Sequence, residues 1–193
     1  IDIFLRVRES LPSARLLVVG KGLFGEEEVF LRRARDAGLA VRDRSGIVSN
    51  EPSEVSGAGG ELWLDGADVV YTGWVPARTL PGLFAQAKLA IYPFDDTLVN
   101  RAKCAVKLVD LLTAGMPVVA EDVGQNGEYI RDGETGLLVP AGDVAVFAQR
   151  VARLMGDDGL RTRIGRQAAR DIDERFSWDS LIGTVERAYG VIA

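Results

Sequence analysis

Four polar residues just ahead of and inside the start of one apolar helix offer the most specific chemistry in this chain. Asn100, Arg101, Lys103 and Lys107 cluster where a helix read from Cys104 to Ala114 begins. The unpaired N–H groups of a helix N-terminus already favour an anion, and cations placed there oppose the helix dipole. Such an arrangement calls for a negatively charged guest, and a diphosphate fits; solvated surface cations are the plainer alternative. Asp110 is the odd residue on the helix itself, an acid among Leu108, Val109, Leu111 and Leu112. Near an apolar face an unpaired carboxylate is costly to bury, so it needs donors at a pocket edge. A ligand hydroxyl, a backbone N–H or Lys107 would each supply one.

Other candidates are weaker. Gly20-Lys21-Gly22 follows an apolar strand and precedes a helix, a turn that lets backbone approach an anion. It is neither a Walker loop nor a complete dinucleotide fingerprint, Glu26–Glu28 would repel phosphate there, and a simple tight turn is an equal reading. Trp74 stands just past a strand, where core or rim packing competes with stacking on a ligand. Asp95-Asp96 suggests a metal pair, but partner ligands are missing and adjacent acids in a loop are usually solvated. The chain has no histidine, so it completes no histidine triad or histidine metal site, and no metal is expected. Its single cysteine, Cys104, excludes an internal disulfide and fits a reducing compartment.

The elements that must position these residues follow from apolar spacing. Val106, Val109 and Leu112, with Leu108 and Leu111, recur at helical intervals; Gly115 stops that helix and Pro117 prevents its resumption. Pro117–Ala120 is a short buried strand. Strands are read at 16–19, 69–72, 89–92, 117–120 and 137–139, with a further short strand at Glu61–Leu64. Helices are read over Ile1–Ser10, Gly25–Ala37, Arg78–Ala87, Val144–Met155 (N-capped by Asp143), Asp157–Phe176 and the last residues from Trp178. Val99–Val106 reads as the loop entering the key helix, Gly124–Ile130 as a short segment carrying Glu128, and 45–66 as a surface excursion without assigned chemistry. Alternation of this kind implies an α/β fold, a mostly parallel sheet with helices on both faces and ligands at the carboxyl ends of the strands.

The runs K-L-V-D-L-L-T-A-G-M-P-V-V-A and E-Y-I-R-D-G-E-T-G-L-L-V-P-A-G-D, in this order and spacing, resemble the carboxy-terminal, donor-binding domain of retaining group 1 (family 4) glycosyltransferases with the GT-B fold. The resemblance extends from about Leu16 to Trp178. It implies one Rossmann-like nucleotide-sugar-binding domain over 1–193, the C-terminal part of a two-domain enzyme whose N-terminal half carries the acceptor site. It implies a diphosphate held by Gly20, Lys21, Gly22, Arg101, Lys103, Cys104, Ala105, Val106 and Lys107. Asp110, five residues before the helix-ending glycine, would take the ribose hydroxyls, with Asp in place of the usual Glu. Trp74 and Val75 would lie beside the nucleobase. The family's fuller motif has a second acid eight residues earlier, where this chain has Ala102; that departure resembles a branch with an S-P-x-K-L-x-E type of helix entry.

The expected activity is metal-independent transfer of a sugar from a nucleotide-diphosphate sugar, with retention and no cofactor, the fragment alone being inactive. A GT-B-like sugar-nucleotide epimerase and a non-catalytic nucleotide-binding module are the alternatives. The formal net charge of −5 and interleaved charges give no nucleic-acid surface, and no apolar run spans a membrane. The expected location is cytoplasmic, with peripheral membrane contact through the absent half left open.

Overall fold

β-Branched runs form the two sheet centres. The computed structural model describes residues 1–22, 25–45 and 66–190. The chain folds as two compact units, Ile1–Ala87 and Lys88–Ala193.

In the first unit, α1 (Asp2–Ser10) buries Phe4 and Val7. β1 (Leu16–Val18), β2 (Val41–Asp43) and β3 (Val69–Tyr71) form a parallel sheet in the order β1-β3-β2. Leu16 and Val41 flank Val69 in register. The central β3 is wholly buried, as expected for an apolar run covered on both faces. β1, expected to be buried, is only half-buried, because it is an edge of this sheet. β2 is a strand the apolar pattern does not announce: Arg42 and Asp43 are exposed, a composition that suits an edge. α2 (Glu26–Asp36) buries Leu31 and Ala34. The expected helix at Arg78–Ala87 is a 3₁₀ turn, Ala77–Thr79, running into α3 (Leu80–Gln86). The strand expected at Glu61–Leu64, and positions 46–65 of the excursion, lie outside the described residues.

In the second unit β4 (Ala90–Tyr92), β5 (Val118–Glu121) and β6 (Leu137–Val139) are parallel in the order β4-β5-β6, with β5 fully buried. The mostly parallel sheet expected of the chain is thus two three-stranded parallel sheets. The segment expected to be a loop before the key helix contains α4 (Leu98–Ala102), whose N-cap Thr97 accepts a hydrogen bond from the Asn100 N–H at 3.2 Å. α5 (Val106–Thr113) starts two residues later than its apolar spacing suggests, since Lys103 is extended (φ −82°, ψ 130°). α5 ends in a Schellman motif: Gly115 has φ +71°, its N–H reaches the Leu112 carbonyl, and the Met116 N–H reaches that of Leu111. α6 (Asn126–Tyr129) follows β5, and α7 (Val144–Gly156) starts at Asp143, whose carboxylate caps Val146 N–H at 2.9 Å as expected. α8 (Asp158–Phe176) packs against α5, α7 and α9 (Trp178–Ala188). Leu108 and Leu112 of α5, Phe147 and Leu154 of α7 and Ile164 and Ala168 of α8 are fully buried in this unit's core. Among the described residues, no helix is long and apolar enough to cross a membrane.

Candidate functional site

The start of α5 is exposed and uncapped. No side chain caps it, its first turn holds no acid, and Lys107 lies within that turn. Arg101, Lys103, Cys104, Val106 and Lys107 are exposed, whereas Ala105 is buried and anchors the N-cap position. The amides at the head of a helix lack intrahelical acceptors, so this end presents N–H donors beside two ammonium groups. Asp110, one turn further along α5, is exposed rather than buried, so its carboxylate is solvated without needing a protein partner.

Each cation is held differently. The Arg101 guanidinium pairs with Asp96 through Nε at 2.5 Å and Nη2 at 2.8 Å. Bonding to Arg101 draws the Asp96 carboxyl below its usual range, and Asp96 in turn raises the Arg101 pKa. The Asp95-Asp96 pair, read from sequence as solvated, therefore has one member occupied as an anchor for Arg101. Lys103 Nζ stands 5.4 Å from the centroid of the Phe94 ring, a cation–π distance. Phe94 is itself fixed by Glu121, which sequence spacing places only at a strand end. This buried carboxylate accepts from Phe94 N–H at 2.6 Å and Gly142 N–H at 2.7 Å, tying the segments after β4 and β6 to the end of β5.

Behind this entry lies the segment after β5. At Gly124 (φ +56°) a Cβ would sit 2.8 Å from the Arg101 carbonyl oxygen and 2.9 Å from that of Asn100, so only glycine lets it approach α4. Asn126 is buried and donates to the Glu121 carbonyl at 2.8 Å. The Tyr129 hydroxyl lies 3.9 Å from Cys104 Sγ, and burial, followed by that thiol, raises the Tyr129 pKa. Glu128 is exposed on α6.

The first unit carries candidates of its own. Lys21, Glu27, Glu28, Asp43, Tyr71 and Trp74 are among the residues lining a cleft of about 520 Å³ at the carboxyl ends of β2 and β3. Trp74 is 69% exposed, so it is a rim residue and not core. Val75 is buried against Leu83, Leu17 and Leu80, leaving only its backbone for a ligand. Gly20 donates its N–H to the Gly73 carbonyl at 2.8 Å, joining the two strand ends. At Gly22 a Cβ would meet the Glu27 backbone nitrogen at 2.9 Å, so the approach of α2 favours glycine here. Three carboxylates and one ammonium line the cleft, which suits donor groups better than phosphate.

Comparison with known proteins bears on what this geometry serves. The family model described as "Glycosyl transferases group 1" matches residues 1–157. A phosphatidyl-myo-inositol mannosyltransferase of Mycobacterium leprae is 38% identical over 88 residues, covering 46% of this chain and 23% of that protein. A D-inositol 3-phosphate glycosyltransferase of Acidothermus cellulolyticus is 33% identical over 153 residues, 79% of this chain and 32% of its own length. The chain thus spans less than a third of either relative. In structure, HepE of Anabaena, solved with UDP and glucose, superposes with a TM-score of 0.71 at 18% identity over 99% of this chain and 44% of that one. TarM of S. aureus gives 0.69 at 16% identity over 96% and 31%. These likenesses show the fold, the Rossmann-like arrangement of GT-B enzymes, and with the family match they establish that this chain belongs to the group 1 glycosyltransferases.

Proposed function

We propose that the chain is the donor-binding part of a retaining glycosyltransferase that moves a hexose from a nucleotide-diphosphate sugar to an acceptor. The observation that carries this reading is the α5 entry: uncapped amides with Lys103 and Lys107 beside them and no first-turn acid. In this role the amides of Cys104–Lys107 and the ammonium groups of Lys103 and Lys107 hold the diphosphate and stabilise the charge that develops as it leaves. Arg101, oriented by Asp96, adds a guanidinium with N–H groups to spare. Asp110 accepts from the ribose hydroxyls. Gly20, Lys21 and Gly22 are given no part in holding the diphosphate, because carboxylates line the cleft beside Lys21.

Metal independence is part of the proposal. Among the described residues no group of three or more His, Cys, Asp or Glu side chains could hold a metal ion, and Asp96 is already engaged. Lysines and amides then neutralise the leaving group. Attack on the face that the diphosphate leaves needs no strong protein base, which accords with the lack of histidine. The acceptor site belongs to an N-terminal domain outside this sequence, the protein works in the cytoplasm, and peripheral membrane contact would come through that domain. The relatives above are named as transferases, which favours transfer over epimerisation. A binding module without turnover is the second reading, motivated by Ala102 standing where the resembling family has an acid, and titrating the longer protein with intact sugar donors separates the two.

Calorimetry with UDP, GDP and ADP, each with and without EDTA, tests the proposal. Binding of at least one, unaffected by EDTA, is expected. Binding to none, or binding lost with EDTA, refutes it.

A further inference from the structure

Asp171 is an acid buried to 2% exposure on α8, away from the α5 entry in sequence and bonded to none of the residues assigned to the donor. Its two carboxylate oxygens are both engaged. Oδ1 pairs with Arg131 Nη1 at 2.5 Å, and Oδ2 accepts from Arg175 Nη1 at 2.8 Å. The same Arg175 sends Nη2 to the Glu128 carbonyl at 3.0 Å, so it clamps α6 from one side. Its guanidinium lies 4.7 Å from the centroid of Phe176, and the Phe176 ring meets Tyr129 edge-on at 5.0 Å between centroids. Tyr129 in turn brings its hydroxyl to 3.9 Å from Cys104 Sγ, in the extended segment that leads into α5.

We infer that Asp171 is a positioning residue for the diphosphate end of α5, acting through Arg175, Phe176 and Tyr129 on the Lys103–Ala105 segment. The inference rests on the donor-site reading above. The physical need is clear at that segment. Lys103 and Cys104 are exposed and outside both flanking helices, so no hydrophobic core fixes them, and the Lys103 N–H reaches the Asn100 carbonyl at a long 3.4 Å. Lys103 rests over the Phe94 ring, while Cys104 meets Tyr129 of the segment after β5, and Gly124 of that segment packs on the Arg101 backbone just ahead of them. That segment is itself short and mostly irregular, and α6 is four residues long. A buried carboxylate gripping two guanidiniums gives it a rigid mooring on the nineteen-residue α8. A preorganised anion site binds more tightly than one that must be ordered by its ligand.

A purely structural role, fastening α8 to the turn that Arg131 shares with Glu134, is the competing account. It predicts lower stability without a selective effect on residues 103–109. Amide exchange read by mass spectrometry and calorimetry with UDP on the 193-residue chain separate the two. The variants are Asp171→Asn and Tyr129→Phe, the second removing only the hydroxyl beside Cys104. Arg131 and Arg175 are about two-fifths exposed in their side chains, so water can solvate them once the charge is lost. Both variants should speed exchange over 103–109 while leaving β5 and α7 unchanged. UDP affinity should fall about tenfold in Asp171→Asn, the equivalent of one charge-assisted hydrogen bond. Folded variants whose exchange over 103–109 matches wild type overturn the inference. Should Asp171→Asn not fold, Tyr129→Phe and Arg175→Met decide on the same readouts. A wild type that binds none of the nucleotides refutes the donor reading alone, and the exchange result still judges the mooring.

Discussion

Gly165 of α8 lies directly on Gly115, the residue that ends α5. A Cβ built on Gly165 would overlap the Gly115 carbonyl oxygen and reach 3.7 Å from Pro117 Cδ. Two glycines therefore meet where the long helix crosses the end of the helix that presents the candidate site, and neither backbone can retreat from a methyl group. Gly165→Ala should destabilise the chain by about 1–3 kcal/mol through overpacking. Gly183, inside α9, is the matched control: an added Cβ there finds only Arg187 Nη1 at 3.6 Å. Gly183→Ala should be neutral or stabilise by up to about 1 kcal/mol through helix propensity. Thermal or urea melts of both variants check the contrast; equal effects would show that the Gly115–Gly165 approach is not tight.

Glu121 holds Phe94 and Gly142 through one buried carboxylate. Glu121→Gln replaces one acceptor by an amide NH₂ facing a backbone N–H. The expected loss is about 2–3 kcal/mol, from a charged hydrogen bond and an unsatisfied donor. Because Phe94 carries the ring beneath Lys103, nucleotide affinity should weaken as well. A melt unchanged from wild type would remove Glu121 from the supporting framework.

Lys103 and Lys107 are exposed, so their charges are not needed for folding. Lys→Met at either site keeps most of the apolar stem and removes the charge. Stability should change by less than about 0.5 kcal/mol, the usual range for surface sites. Affinity for UDP should drop by a clearly larger free energy. Parallel losses of folding and binding would return both lysines to a structural role.

Asp110→Asn tests the ribose assignment. The variant loses charge-assisted hydrogen bonds of roughly 1.5–3 kcal/mol, so affinity for a ribonucleotide should fall about tenfold or more. A 2′,3′-dideoxy analogue should bind wild type and variant alike. If the variant still prefers ribose as strongly as wild type, Asp110 is not the ligand.

The Arg101–Asp96 pair makes a titration prediction. The Asp96 carboxyl, held below its ordinary value of 3.8 by Arg101, should titrate lower in wild type than in Arg101→Met, as followed by carboxyl NMR shifts. Since the folded pKa is the lower one, the pairing is intact above the ordinary aspartate range. It is lost as pH falls through the folded value, so it operates fully at neutral pH. Identical titrations would show that the two groups do not pair in solution.

By itself the sequence determined the parts whose causes are local. The apolar period of α5, the stop at Gly115, the cap at Asp143 and the largely apolar strands β3, β5 and β6 each depend on neighbours a few residues away. The charge at the α5 entry is legible for the same reason, and the joint order of motifs is enough to expect the family. Tertiary structure decided what depends on distant partners. β2 is a strand because β3 offers it hydrogen bonds, although Val41-Arg42-Asp43 has little apolar pattern. α4 forms where the sequence reads as a loop, with Thr97 as its cap and Gly124 packed on its end. Sequence leaves Trp74 between core and rim, and only the fold puts it on the rim. Nor does spacing reveal that Asp171 and Arg131, forty residues apart, share a buried ion pair, or that Glu121 spans two loops. Those contacts carry no periodicity, because folding brings together groups whose separation along the chain is arbitrary.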